Sequence, residues 1–314
     1  MQLAMHISAW ADGDIPPVVP SVTKFEVKTT SSYYKAGIYS AAAIDPTVAT
    51  VVNWGDGTTD EVYGDISQLI HTYAAATATY TVEVSDNIST FALSIDNSTW
   101  YANRTKNNKI ITKLITLSSR VTTLPIWAFY HCEYMGSVYA GDSGSLTLEA
   151  NSSGFGNQFY ATAYYNNGKF DFSGRTVQTI PAAAFADTGM TEFAWPKGVT
   201  TVGGSPAAAN GAFYWAGYMT SITIPATITS IGDYAFARCE TWKTITMEGT
   251  TAPTVASTAF GNSTSGVGTY VGRSTYSTGT NRLIVPAGST GYDTGVWLDP
   301  LCDATKCGFT KVEV

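Results

Sequence analysis

The chain has 314 residues, a net charge of −7, and only 13% charged residues against abundant Thr, Ser, Ala, Gly and Tyr. That length fits two or three modules better than one compact fold, and that mix suits strands and tight turns, which excludes an all-helical protein. With no cluster of Lys and Arg, nucleic acid is not expected as a partner, and with no run of about 18 apolar residues, membrane insertion is not expected either.

Residues 1–21 hold Pro16, Pro17 and Pro20 and run straight into the strand-like segment Phe25 to Lys28. They predict an extended arm whose job is attachment to neighbouring virion or surface subunits. Met1 to His6 lack the basic and apolar regions of a signal peptide, so export without a cleaved leader, or a leader already removed, is expected. From 22 to 97, β-prone residues come in short, partly alternating runs: Val48 to Trp54, Tyr80 to Val84, and Phe91 to Ile95. Several short strands at such spacing predict an immunoglobulin-like β-sandwich. Within it, Asp56-Gly57 suits a tight turn, because glycine accepts positive φ and Asp bonds nearby backbone. Asp56, Asp60, Glu61 and Asp65 could in principle supply calcium oxygens, but they lack the alternating carboxylates of a calcium loop, so no metal is expected.

Trp54-Gly55-Asp56-Gly57-Thr58, with His71-Thr72-Tyr73 and Thr79 to Val84 downstream, resembles the signature of PKD domains, which are immunoglobulin-like modules of extracellular proteins. The sequence departs from that pattern where Val52 stands in place of an upstream Trp, and Thr77-Ala78 in place of Pro-Gly.

The second half repeats. Val121, Leu124 and Ala128-Phe129, then Val177, Ile180 and Ala184-Phe185, then Ile228, Ile231 and Ala235-Phe236 share one spacing: an aliphatic residue, another three on, and Ala-Phe four further. Val199 and Val202 reach Ala212-Phe213 only after six extra residues, and Ala252-Pro-Thr-Val255 precedes Ala259-Phe260. The Ala residues lie 56, 28, 23 and 24 apart; since 56 is twice 28, a degenerate coil is predicted near 140–172. Between the pairs lie strand-like segments, Phe193 to Pro196, Ile222 to Pro225, Ile245 to Met247 and Leu283 to Pro286. A unit this short cannot enclose its own apolar face, so the units must stack into a solenoid with a ladder of phenylalanines.

This pattern, with Cys132 and Cys239 three residues after their Phe, resembles leucine-rich repeats of the BspA type over about 110–314, and the ending Val285-Pro286-Ala287-Gly288 with Tyr292 and Trp297 is similar to that family's closing segment. The resemblance implies short parallel strands on one face and a role in adhesion or protein binding. The organisation expected is therefore mainly β: an arm at 1–21, a PKD-like sandwich at 22–97, a leucine-rich-repeat solenoid at 98–282 and a C-terminal cap at 283–314.

Chemistry is not expected. His131-Cys132 and Gly141-Asp142-Ser143-Gly144 imitate the surroundings of a serine-protease His and Ser, yet they lie too close together in sequence for a two-barrel protease, and His131 falls inside a repeat. His6, His71 and His131 lie far apart and no Cys/His spacing matches zinc. Gly266 to Gly272 is glycine-rich but does not sit between a strand and a helix, so no phosphate or other cofactor site is expected. Cys302 and Cys307 are five apart and could close a loop in an oxidising compartment. The better clue is aromatic: Phe159-Tyr160, Tyr164-Tyr165, Tyr214-Trp215 and Tyr218 fall in loop-like segments beside Ser, Asn and Gly. Rigid aromatics of that kind suit either recognition or the filling of the solenoid core; on the first reading Tyr160, Tyr164, Tyr165, Tyr214, Trp215 and Tyr218 form the recognition surface for a protein or glycan. The sequence thus predicts a non-enzymatic recognition protein, first a bacteriophage virion appendage or decoration protein anchored by its N-terminal arm, with a bacterial cell-surface adhesin of the BspA type as the alternative.

Overall fold

A computed structural model describes residues 22–93, 108–205, 210–261, 281–298, 302 and 307–314; the arm at 1–21 and the glycine-rich stretch 266–272 lie outside the described residues. The first strand, β1 (Thr23–Lys28), alternates inward Thr23, Phe25 and Val27 with outward residues, the period expected of a half-buried strand. After it come β2 (Lys35–Ile38), β3 (Thr50–Asn53), β4 (Thr59–Val62), β5 (Leu69–Thr72) and β6 (Thr79–Val84), all paired antiparallel where they meet. The β3–β4 hairpin turns through Trp54 to Thr58, with Asn53 opposite Thr59. Its Gly55 is at φ +80° and a Cβ there would stand 2.5 Å from the Thr81 carbonyl oxygen, so both backbone hand and space require glycine.

The remaining strands coil. One side carries β7 (Ile111–Thr116), β9 (Ser137–Tyr139), β11 (Gly168–Asp171), β13 (Met190–Ala194), β15 (Ser221–Ile224), β17 (Thr244–Met247) and β19 (Asn281–Val285). The other carries two-residue strands, β8 (Thr123–Leu124), β10 (Thr147–Leu148), β12 (Thr179–Ile180), β14 (Thr201–Val202), β16 (Ser230–Ile231) and β18 (Thr254–Val255). Pairing along each side is parallel, as stacked right-through coils demand, and β20 (Phe309–Glu313) closes the first side by pairing with β19. β1 is bonded on both edges, antiparallel to β6 and antiparallel to β7. One eight-stranded sheet, β13-β11-β9-β7-β1-β6-β3-β4, therefore runs from the N-terminal strands into the coils.

Each coil ends in a phenylalanine, and the rings form one column. Centroid separations are 4.9 Å for Phe129–Phe159, 5.2 Å for Phe159–Phe185, 5.3 Å for Phe185–Phe213, 5.6 Å for Phe213–Phe236 and 5.8 Å for Phe236–Phe260, all stacked. Phe91 and Trp297 close the two ends, at 6.3 Å from Phe129 and 5.5 Å from Phe260. All six stacked rings are at most 1% exposed. Offset stacking at such distances adds to area burial, so this column and the aliphatic residues beside it hold coil to coil.

The predicted degenerate coil is present: Phe159 is its ring, buried in the column rather than sitting in a loop as expected from its neighbours. It escaped the spacing because Gln158 replaces the alanine and eleven residues separate Leu148 from Phe159. Val202 to Phe213 spans the same eleven, against five elsewhere, so two coils carry a matching six-residue insertion. Gln158, fully buried, donates from Nε2 to the Glu149 carbonyl at 2.6 Å, while its Oε1 has no partner among the described residues. The run beginning at Phe91 is not a strand among the described residues; Ala92 makes only an isolated bridge to Ser40, and Leu93 N–H donates to Ala128 of the first coil. Its backbone is occupied in joining the N-terminal strands to the solenoid, and Phe91 packs between Phe25 and Phe129.

Candidate recognition surface

The turn around each column phenylalanine has a fixed backbone alternation that builds a ledge along the solenoid. The residue two after the ring lies in the left-handed region in five successive coils: His131, Ala161, Asp187, Trp215 and Arg238, at φ 54–61°. Trp127, Asn157, Ala183 and Tyr234 do the same two residues before. This alternation aims every second N–H at the next coil. Phe129, Phe159, Phe185, Phe213 and Phe236 donate to the residue preceding the next ring, and His131, Ala161, Asp187 and Trp215 donate to the residue following it, at 2.7–3.1 Å. Left-handed conformation costs a non-glycine residue something of order 1 kcal/mol or more, which the inter-coil ladder offsets. Side chains one, two and five after each ring are thereby set out in rows.

The six residues expected to form the recognition surface all lie on this ledge. Tyr160 and Tyr214 follow their rings directly and are half-buried; Trp215 is next, and Tyr164, Tyr165 and Tyr218 stand in the outer row. Tyr164, Tyr165, Trp215 and Tyr218 are 41%, 60%, 47% and 50% exposed, and Tyr134 joins them at 37%. Tyr130 stacks on Tyr160 at 5.3 Å, Tyr134 lies 5.2 Å from Tyr165, and Tyr165 meets Tyr164 edge-on at 5.1 Å. Trp215 carries the Arg238 guanidinium over its ring at 4.8 Å. Sequence reasoning missed Tyr130 and Tyr134, although each occupies the same offset from Phe129 that Tyr160 and Tyr164 occupy from Phe159.

The third coil interrupts both rows. It places Ala186 where the neighbouring coils have Tyr160 and Tyr214, and buried Met190 where they have Tyr164 and Tyr218. Asp187 sits in that gap, its N–H donating to the Tyr214 carbonyl at 2.7 Å. Its carboxylate makes no hydrogen bond or ion pair among the described residues. Burial pushes it up to about 6; the His131 ring counters that push and Glu133 adds to it. The Asp187 charge in turn raises Tyr164, and together with burial lifts Tyr160 to about 12. His131 Nδ1 lies 3.2 Å from Glu133 Oε1, at one end of the gap.

The other polar groups singled out in the sequence are tied into the fold. Asp56 accepts from the Thr58 hydroxyl at 2.6 Å and meets His71 Nε2 at 2.8 Å, Asp60 accepts from Trp54 Nε1 at 2.7 Å, and Asp65 accepts from Ala43 N–H at 2.8 Å. Among the described residues no three His, Cys, Asp or Glu converge as metal ligands. Ser143 gives its carbonyl to Arg175 NH1 at 2.6 Å, so the protease-like segment is a structural corner. All four cysteines are free thiols; Cys132 and Cys239 are buried, and Cys239 donates to the Phe213 carbonyl at 3.1 Å. Burial raises both thiols far above their ordinary range, which leaves them unreactive.

Short parallel strands on two sides, six stacked phenylalanine turns and an open face of side chains are the geometry of a short solenoid, and the comparison with known families agrees. The model for the BspA type leucine rich repeat region matches residues 107–206 and 207–275 in six copies, a span that contains the whole phenylalanine column. The chain belongs to that family. BspA-type repeats form surface-exposed binding regions, generally without enzymatic activity. No curated protein matches the chain. No helix among the described residues is long and apolar enough to cross a membrane.

Proposed function

We propose that this BspA-type protein recognises a macromolecule at a bacterial cell surface, and that the aromatic ledge makes the contact. The observation that carries this reading is the concentration of exposed rings along one ledge: Tyr134, Tyr164, Tyr165, Trp215 and Tyr218 stand on the first, second and fourth coils of a rigid stack. Large rigid side chains held by a scaffold lose little entropy on binding and dominate interface energetics. In support of a PKD-like immunoglobulin module before the solenoid, Tyr73 donates its hydroxyl to the Trp54 carbonyl at 3.1 Å and stacks on Tyr80. That module would present or space the repeats.

The test uses the intact chain on an array of proteins and glycans beside a Tyr164→Ala/Tyr218→Ala variant, whose exposed positions leave folding intact. Ligands retained by the native chain and lost by the variant are expected; an array on which the two chains behave alike would overturn the reading. The virion appendage reading rests on residues 1–21 as an anchor, which lie outside the described residues. Neighbouring genes for capsid or tail proteins favour it, and neighbours for lipoprotein export or polysaccharide uptake favour the cell surface.

A further inference from the structure

The gap in the ledge at the third coil is a built notch. On its two sides stand Tyr160 with Tyr164 and Tyr214 with Tyr218, close enough that Tyr160 and Tyr214, and Tyr164 and Tyr218, sense one another's charge across it. Ala186 and Met190, both buried, keep the space between the rings free of a fifth aromatic. Asp187 occupies the notch with a carboxylate that accepts nothing from the described residues, and Glu133 adds a second negative charge at one end. Among the described residues the basic side chains on the ledge are His131, already beside Glu133 at 3.2 Å, and Arg238, seated over Trp215 at 4.8 Å. The second coil places an alanine, Ala161, at the position of Asp187 with the same left-handed backbone, so the fold needs no carboxylate there. Left-handed backbone suits Asp, but it does not account for burying the side chain without a donor.

We propose that this notch receives a cationic side chain, arginine or lysine, presented by a partner protein. Phenol rings on both walls supply aromatic surface on which a cation can rest, and a half-buried carboxylate without a donor among the described residues offers it a charge-assisted hydrogen bond. The charge pattern selects this partner over a neutral glycan: Asp187 and Glu133 repel each other, a cation relieves that repulsion, and a sugar hydroxyl does not. The overall charge of −7 works in the same direction by steering basic segments toward the chain. His131, Glu133, Tyr160, Tyr164, Tyr214 and Tyr218 are the titratable groups around Asp187, and lowering the pH toward 5 neutralises the Asp187 carboxylate, which opposes the cation.

This inference rests on the reading of the ledge as a recognition surface and is tested separately from it. The intact chain is titrated at pH 7.5 with Nα-acetyl-arginine methylamide and with its neutral citrulline isostere, while amide resonances are followed by NMR. The arginine probe is expected to shift signals from 130–134, 160–165, 187 and 214–218, with at least tenfold tighter binding than citrulline, tenfold weaker binding to Asp187→Asn, and a comparable loss at pH 5. Ser143→Ala, outside the notch, is expected to bind like the native chain. Equal binding of the two probes, undiminished binding to Asp187→Asn, or displacement of the arginine probe by a neutral N-acetylglucosamine trimer would each overturn the proposal. If the array finds a ligand that depends on Tyr164 and Tyr218 while the arginine probe fails, the notch assignment falls and the recognition reading stands; an array that cannot tell the variant from the native chain removes the recognition reading whatever the probe does.

Discussion

Replacing Phe185 by alanine tests the column where it has the most neighbours. The ring stacks on Phe159 at 5.2 Å and on Phe213 at 5.3 Å, and Phe170, Phe172 and Phe193 meet it edge-on at 6.1, 5.5 and 5.0 Å. It is 1% exposed, so the substitution forfeits nearly the whole transfer term: roughly 120 Å² of ring surface at about 25 cal/mol per Å² gives ~3 kcal/mol. Two lost stacks at ~0.5–1.5 kcal/mol each bring the cost to about 4–6 kcal/mol, at the upper end of the range of about 3–5 kcal/mol found for buried Phe→Ala. Stability would be measured by urea unfolding followed by both tryptophan fluorescence and far-UV circular dichroism. Because a stack of repeats can lose cooperativity when one interface is weakened, the two probes are compared for coincidence as well as midpoint. Tyr165→Ala, with a ring 60% exposed, serves as the reference and is expected to stay within about 0.5 kcal/mol of native. A Phe185→Ala cost under about 1 kcal/mol with an unchanged denaturant slope would refute the column as the element that holds the coils together.

Arg175 is fully buried, donates to the carbonyls of Ser118, Val121 and Ser143, and burial pushes its guanidinium down to about 10. Arg175→Met strands those acceptors and is expected to cost about 2–4 kcal/mol in thermal or urea unfolding; a change below 0.5 kcal/mol, on the order of an ordinary surface substitution, contradicts that role. For Asp187 the folded state holds its proton up to about 6, above the ordinary 3.8, so this group lowers stability as pH rises through that interval and its cost is fully present above it. Asp187→Asn is therefore expected to unfold later than native at pH 7.5, by on the order of 1 kcal/mol after solvent screening, with the advantage gone near pH 4. Melting curves across that range that run parallel for the two chains would exclude the effect. Gly55→Ala forces a Cβ against the Thr81 carbonyl at positive φ and is expected to cost at least ~2 kcal/mol in the same unfolding assay; a neutral result would mean the hairpin turn rearranges freely.

The repeat was legible because its signals are local and regular: Leu124, Ile180 and Ile231 each precede an Ala-Phe pair by the same interval, and those rings do stack in one column. Phe159 was hidden for a physical reason. Column membership is fixed by the turn's inter-coil hydrogen bonds, and these tolerate a six-residue detour and a Gln in place of Ala as long as the amide finds a carbonyl. The ledge tyrosines could be named from the sequence because they sit outside the apolar periodicity, yet their rows needed the three-dimensional register. Asp187 gave no signal at all; a lone carboxylate next to Ala-Phe-Ala reads as a solvated turn residue, and only stacking reveals that the tyrosines flanking it come from the coils above and below. The double pairing of β1 was equally invisible, since a strand's alternation reports which face is buried and says nothing about which edges are occupied.

That double pairing decides how the protein transmits load. Lys24 to Val27 are zipped by backbone bonds to β6 on one side and β7 on the other, while Phe25 and Phe91 continue the apolar column beyond Phe129. Tension entering through the N-terminal strands would have to shear rows of peptide bonds instead of bending a linker. Cutting the chain ahead of β7 would leave the first coil with an open edge and a bare ring, a sticky end prone to self-association.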